Sequence, residues 1–165
     1  MQLIVQQLKT TQLGPLDLEL EASERLFIHG PSGAGKSLLL RALADLDPHQ
    51  GLITLDGKPQ TSISPCKWRG LIGYLPAENH WWGTTVGEHF AVADPHQFQQ
   101  LGLKLESLDW QLEHCSSGER QRLALLRLLQ NKPQILLLDE PTANLDPENS
   151  RRFEQLLLEY QQQQQ

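Results

Sequence analysis

Gly30-Pro31-Ser32-Gly33-Ala34-Gly35-Lys36-Ser37 decides how the rest of this chain is read. It fits G-x-x-x-x-G-K-[ST], and its flanks fit a phosphate-binding loop. Leu26-Phe27-Ile28-His29 before it is a short apolar run that reads as a buried strand. Leu38-Leu39-Leu40-Arg41-Ala42-Leu43-Ala44 after it has strong helix formers and no breaker, so a helix is predicted to start near Lys36. Glycines let the backbone curl until its N–H groups face phosphate oxygens, and a helix N-terminus adds free donors and a positive dipole end. Residues Gly30, Pro31, Ser32, Gly33, Ala34, Gly35, Lys36, Ser37 and Leu38 are therefore the expected nucleotide contacts. Lys36 would reach the β- and γ-phosphates, and the Ser37 hydroxyl would ligate Mg²⁺.

The composition bounds this reading. At 165 residues, 39% hydrophobic and 21% charged, the chain is sized for one soluble domain. No run approaches the length of a membrane span, and Met1-Gln2-Leu3-Ile4-Val5-Gln6-Gln7 lacks the basic and apolar regions of a signal peptide, so a cytoplasmic location is expected. A net charge of −6 argues against a nucleic-acid partner. Cys66 and Cys115 form no C-x-x-C pair and read as reduced thiols, and the six histidines show no metal-ligand spacing.

In chain order, residues 2–5 and 16–20 read as strands, the second through the alternation of Leu16, Leu18 and Leu20 with Asp17 and Glu19. The helix after the phosphate loop is predicted to end near Asp47-Pro48. A further strand follows over Gly51–Leu55, closed by the turn Asp56-Gly57. Thr61 to Gly70 reads as loop, and Leu71–Leu75 as a strand stopped by Pro76. Short helices are predicted over Val86–Val92 and Phe98–Leu103, with 109–115 irregular. A long helix is predicted from Ser117 to about Asn131, ended by Pro133. Ile135–Leu138 reads as a strand buried on both faces. Pro147–Tyr160 reads as an amphipathic helix with Phe153, Leu156, Leu157 and Tyr160 on one face, capped by Asp146. Gln161–Gln165 is low-complexity and expected to fray. The expected class is α/β. Residues 1–76 and 131–160 form the core, 77–130 a helical subdomain, and 161–165 a disordered tail.

Two later motifs carry chemistry. Asp139 and Glu140 end the apolar strand, where the first acid holds Mg²⁺ and the second can orient or deprotonate a water. Ser116 and Glu119 form a capping box at the start of the long helix, which also makes that helix end an anion site.

The order of these motifs resembles the ATP-binding cassette ATPases across essentially the whole chain. Gly30–Ser37 matches their Walker A motif, and Ile135–Glu140 their Walker B motif. Cys115–Glu119 resembles the L-S-G-G-Q signature, and Ala143-Asn144-Leu145-Asp146 the D-loop. The resemblance implies a phosphate-loop NTPase with a mixed or parallel core sheet, an antiparallel N-terminal part and a helical subdomain. It also implies ATP and Mg²⁺ as ligands, with Ser37 and Asp139 on the metal and Glu140 as the catalytic base. The implied assembly is a head-to-tail homodimer or heterodimer with another such subunit. In it Ser116, Ser117, Gly118 and Glu119 face the partner subunit's ATP, and Asp146 lies in the D-loop. The implied partner is a membrane permease, with the subunit peripheral on the inner face of the cell membrane. The alternative implied by the departures from the pattern is a nucleotide-gated or truncated binding module with little hydrolysis.

Four departures stand out. The Q-loop Gln falls at Ala77, with Glu78 adjacent. Cys115, Ser117 and Glu119 replace the family's Leu, Gly and Gln in the signature. No aromatic residue precedes Phe27, so Leu8 or Lys9 lies where the adenine-stacking Tyr is expected. No histidine follows His114, so the switch His and its strand are expected to be missing. Trp81 and Trp82, just past the Q-loop position, read equally as packing residues and as a partner surface.

Overall fold

A computed structural model describes residues 1–163. The described residues divide into two compact units: residues 1–74 with 134–139, and residues 75–133 with 140–163. The first break lies two residues from the 76/77 boundary expected from sequence. The C-terminal helix groups with the second unit, whereas the sequence placed 131–160 with the core.

In the first unit, β1 (Gln2–Lys9) is the central strand of an antiparallel sheet. Its neighbours are β2 (Leu16–Glu21) and β3 (Gln50–Leu55), and β4 (Lys58–Pro59) pairs with β3. Leu3 stands opposite Leu20 and Leu55, and Val5 opposite Leu18 and Ile53, so one face of the sheet is apolar in register. The β1 ladders are interrupted at Gln7, whose φ of 51° marks a bulge. Gly51 faces this bulge. A Cβ on Gly51 would come within 2.5 Å of the Gln7 carbonyl oxygen, and its φ is 98°, so only glycine fits. Asp56 and Gly57, at φ 49° and 73°, form the positive-φ turn between β3 and β4 that their sequence predicts.

Against this face packs α1 (Lys36–Leu43), with Leu39, Leu40, Ala42 and Leu43 buried. The helix ends before Asp47-Pro48. Asp45 takes a left-handed φ of 59°, Leu46 N–H bonds the Arg41 carbonyl and Asp45 N–H that of Ala42. This is a Schellman ending with aspartate in the usual glycine position, a signal that Pro48 masks in the sequence.

Thr61–Gly70 is not a loop. A 3-10 turn over Gln60–Ser62 leads into α2 (Pro65–Leu71), which has Pro65 at its first turn. Trp68 is fully buried in the same core, and its Nε1–H donates to the Leu43 carbonyl at 2.9 Å. The indole thus ties α2 to the end of α1. Trp68→Ala should destabilise the protein by about 3–5 kcal/mol, measurable by denaturant unfolding, because it removes both buried area and a bond partner.

The other strands are β5 (Ile72–Leu75) and β6 (Ile135–Leu138), which pair with each other. Ile135 and Leu137 are buried while Leu136 and Leu138 are half-buried, so β6 is covered fully on one face only. The predicted strand at Leu26–His29 does not form. Among the described residues nothing pairs with it in a ladder, and Leu26 and Phe27 are exposed, Phe27 to 73%.

The second unit contains α3 (Pro95–Gln100), α4 (Ser117–Leu129) and α5 (Pro147–Gln163). Val86–Val92 contains only a 3-10 turn at Gly87–His89, and α3 starts three residues before Phe98, where Asp94 caps it ahead of Pro95. The 105–114 stretch holds two more 3-10 turns. α4 is almost fully buried from Gln121 to Leu126. Phe153, Leu156 and Tyr160 give α5 its buried face, with Leu157 at the margin, and Tyr160 OH donates to the Pro133 carbonyl at 2.7 Å. Helix α5 continues through Gln161–Gln163 rather than fraying at Tyr160; Gln164 and Gln165 lie outside the described residues.

Candidate nucleotide-binding site

The phosphate loop and Asp139 belong to the first unit. Gly33 and Gly35 adopt φ of 78° and 90°, and added Cβ atoms there would meet no close contact. The requirement for glycine is therefore conformational: the turn needs left-handed backbone at both positions. Gly35 is the N-cap of α1, so no side chain caps the helix, and its first turn contains no acid. The orphan N–H groups of that turn are left to an external acceptor, with the dipole favouring an anion. Lys36 Nζ donates to the carbonyls of Gly30 and Pro31 at 2.9 and 3.0 Å, so the ammonium lies across the loop. Ser37 is exposed and Leu38 half-buried, while Leu39 turns into the core.

Asp139 is 7% exposed. Among the described residues its recorded donor is Tyr74 OH at 3.2 Å, and no basic side chain pairs with it. The Tyr74 phenol is pushed up to about 12, by burial first and the Asp139 charge second, so it stays a protonated donor. A buried carboxylate with one neutral donor is an unfinished arrangement that a hard cation completes. The Ser37 hydroxyl and the Asp139 carboxylate are oxygen donors of the kind Mg²⁺ takes.

Glu140, Ser116–Glu119 and Asp146 belong to the second unit. Glu140 is exposed and has a φ of 47°, a left-handed conformation unusual for a residue with a side chain. Its carbonyl accepts from Ala143 N–H, which starts the turn leading to Asp146. Asp146 caps α5: Oδ1 accepts from Asn149 N–H and Oδ2 from the Asn149 amide, and these bonds lower its pKa.

The capping box is present in full. Ser116 Oγ accepts from Glu119 N–H at 3.2 Å, and Glu119 Oε2 accepts from Ser116 N–H and Oγ at 2.8 and 2.7 Å. The Glu119 charge is thereby folded back onto the cap, and exposed Ser117 and half-buried Gly118 carry the remaining first-turn donors. A Cβ on Gly118 would meet the Asn144 carbonyl oxygen at 3.2 Å, so glycine lets the 142–146 turn lie against this helix end. The Ser116 bonds hold Glu119 below the usual glutamate range. Its contribution to the cap is complete above that range and is lost as pH falls through the lowered value. Glu119→Gln keeps a capping box but has no charge to lose. It should flatten the acid limb of helix content measured by circular dichroism between about pH 5 and pH 2.

Two buried polar residues of the second unit were not singled out by sequence. Buried Gln121 accepts from the Asn79 amide at 2.5 Å and donates to the Pro141 carbonyl at 3.0 Å. It links the segment after β5 to the turn after Glu140. Buried Arg122 donates to the Leu101 and Gly118 carbonyls, and burial lowers its pKa. Polar residues at core positions of a leucine-rich helix were the available signal. Ala77 is half-buried, with no polar atom on its side chain. Leu8 is fully buried and cannot cover a base, whereas Lys9 is exposed. Trp81 and Trp82 both pack on Arg127 and His89: the Arg127 guanidinium lies 4.2 Å from the half-buried Trp81 ring and 5.1 Å from that of Trp82, which is 76% exposed.

Residues 13–143 match the family described as "ABC transporter". The chain belongs to this family. It is 34% identical to the transport ATP-binding protein AarD of Providencia stuartii, over 92% of this chain and 29% of AarD. It is 33% identical to the lipoprotein-releasing system ATP-binding protein LolD of Hydrogenovibrio crunogenus, over 95% of this chain and 76% of LolD. The chain thus spans less than a third of AarD and about three quarters of LolD. Among solved structures, a bacterial Atm1-family ABC exporter with ATP bound shares the fold at a TM-score of 0.85 and 24% identity, covering 97% of this chain and 32% of the exporter. This ABC-type α/β fold is the one expected from the motif order. No helix among the described residues is long and apolar enough to cross a membrane.

Proposed function

We propose that this ABC-family chain binds Mg-ATP at Gly30–Leu38 and hydrolyses it to drive a membrane transporter, working as one half of a head-to-tail dimer. The observation that carries the reading is the uncapped, glycine-turned start of α1 beside Lys36, in the same unit as buried, uncompensated Asp139. Loop and helix N–H groups bind the phosphates, and Lys36 adds charge-assisted bonds. Mg²⁺, held by Ser37 and Asp139, would neutralise phosphate charge. Glu140 orients the attacking water and accepts its proton. Ser116 with the donors of Ser117 and Gly118, on an exposed helix end, serves the ATP of a second subunit, which is a homodimer partner or another ABC subunit. The relatives' names support a transport role, and such a subunit would sit peripherally on the inner face of the membrane beside a permease.

One observation favours a binding-only module: Ala77 offers no side-chain ligand at the junction position. A single-turnover assay with excess protein over Mg-ATP separates the readings. Phosphate release in step with ATP loss supports hydrolysis; bound ATP that stays intact over hours supports the binding module.

A further inference from the structure

Tyr74 stands against Asp139 in the first unit, and its hydroxyl donates to Asp139 Oδ2 at 3.2 Å. The two residues come from paired strands: Tyr74 lies in β5, and Asp139 directly follows β6. The Tyr74 ring is half-buried and packs on the apolar core of this unit, with Ile72 and Gly73 buried just before it. The hydroxyl is therefore carried on a ring with little freedom to move. Asp139 is 7% exposed, and its Oδ1 accepts no hydrogen bond among the described residues. One oxygen of the carboxylate is engaged and the other is left for an outside partner.

We propose that Tyr74 is a positioning residue for Asp139, and that it makes the site prefer Mg²⁺ to Ca²⁺. By holding Oδ2, it leaves the single oxygen Oδ1 to face the nucleotide's divalent cation. The assignment rests on the Mg-ATP reading above and adds to it a source of metal selectivity. Mg²⁺ demands near-ideal octahedral geometry, keeps several waters and is served by one oxygen of a carboxylate. Ca²⁺ accepts more oxygens in flexible geometry and binds carboxylates through one or both. A carboxylate with one oxygen already engaged meets the first demand and denies the second. The bond also fixes the turn of the carboxylate about its Cβ–Cγ axis, which is a broad torsion when nothing holds it. A phenol suits this task better than a basic side chain. It donates one hydrogen bond and carries no charge, so the carboxylate keeps its attraction for a cation that lysine or arginine would weaken. Packing alone does not call for the hydroxyl, since phenylalanine would cover the same core.

The test measures binding of the non-hydrolysable β,γ-imido analogue of ATP to the full chain by isothermal titration calorimetry, in EDTA, in Mg²⁺ and in Ca²⁺. The unsubstituted chain is expected to bind most tightly in Mg²⁺. Tyr74→Phe keeps the ring and removes only the donor. It should weaken binding in Mg²⁺ about tenfold, as loss of a metal ligand's outer partner does, while binding in EDTA holds and binding in Ca²⁺ changes less. A preference for Mg²⁺ over Ca²⁺ that is absent from the unsubstituted chain, or that survives Tyr74→Phe intact, overturns the assignment and leaves the Mg-ATP reading standing. An equal loss under all three conditions marks a merely structural role and overturns it too. Binding to the unsubstituted chain that is no tighter in Mg²⁺ than in EDTA overturns both. Should Tyr74→Phe lose the cooperative thermal transition, Tyr74→Leu, which also lacks the donor, takes its place under the same criteria.

Discussion

Glu140→Gln is expected to lower ATP turnover about a thousandfold while keeping Mg-ATP binding, since a general base contributes roughly 10²–10⁴ in rate. Glutamine has the shape of glutamate and can still hold a water, but it cannot take the proton. Glu140 is a strong choice for three physical reasons. It directly follows Asp139, whose buried carboxylate suits a divalent cation. It is exposed, so its carboxylate is open to solvent and substrate. Its left-handed backbone, at φ 47°, costs a residue with a side chain conformational energy. Steady-state phosphate release and filter binding of ATP report the two quantities separately. Turnover within a few-fold of the unsubstituted chain would remove Glu140 from the base role.

Lys36→Ala should weaken ATP binding about a hundredfold, the equivalent of one or two charge-assisted hydrogen bonds at roughly 1.5–3 kcal/mol each. The Nζ now bonds two loop carbonyls, so the substitution also removes a brace between Gly30, Pro31 and the start of α1. Lys36→Arg distinguishes the two roles. It keeps the charge but not the compact ammonium, and it should recover part of the affinity only if phosphate charge dominates. Isothermal titration calorimetry with Mg-ATP measures both variants. Wild-type affinity in Lys36→Ala would place the phosphates elsewhere.

Much of this architecture was legible because local rules and tertiary packing agree. β1, β2 and β3 alternate or run apolar, and the Asp56-Gly57 turn that closes β3 takes the positive φ its residues accept. The Ser116/Glu119 box and the Asp146-Pro147 start are complete in sequence and complete in the structure. The failures are equally physical. An apolar run such as Leu26–Ile28 shows what a segment would bury but not whether a neighbouring strand exists to cover it. Helix α2 carries only Trp68 and Leu71 as large apolar residues, too little for a periodic signal, yet Trp68 is wholly buried. The end of α1 was masked because Asp45 adopts the conformation usually assigned to glycine. At the site, motif residues were readable because phosphate chemistry fixes their spacing. Gln121 and Arg122 were not, because apart from the distant Asn79 amide their partners are backbone carbonyls at residues 101, 118 and 141, which no side-chain pattern encodes.

The central claim is that a working site is assembled from two chains, with Lys36 from one and the Ser116–Gly118 helix end from the other. Mixing two inactive variants tests it most directly. Lys36→Ala removes the phosphate-loop contact and leaves the helix end intact. Ser117→Glu places an anion at an exposed first-turn position, where acids do not harm the helix, and leaves the phosphate loop intact. Each variant alone should release little phosphate. An equimolar mixture should recover about a quarter of the unsubstituted rate, because half of randomly paired two-fold dimers are mixed and each has one intact composite site. A mixture no more active than its components would contradict a shared site.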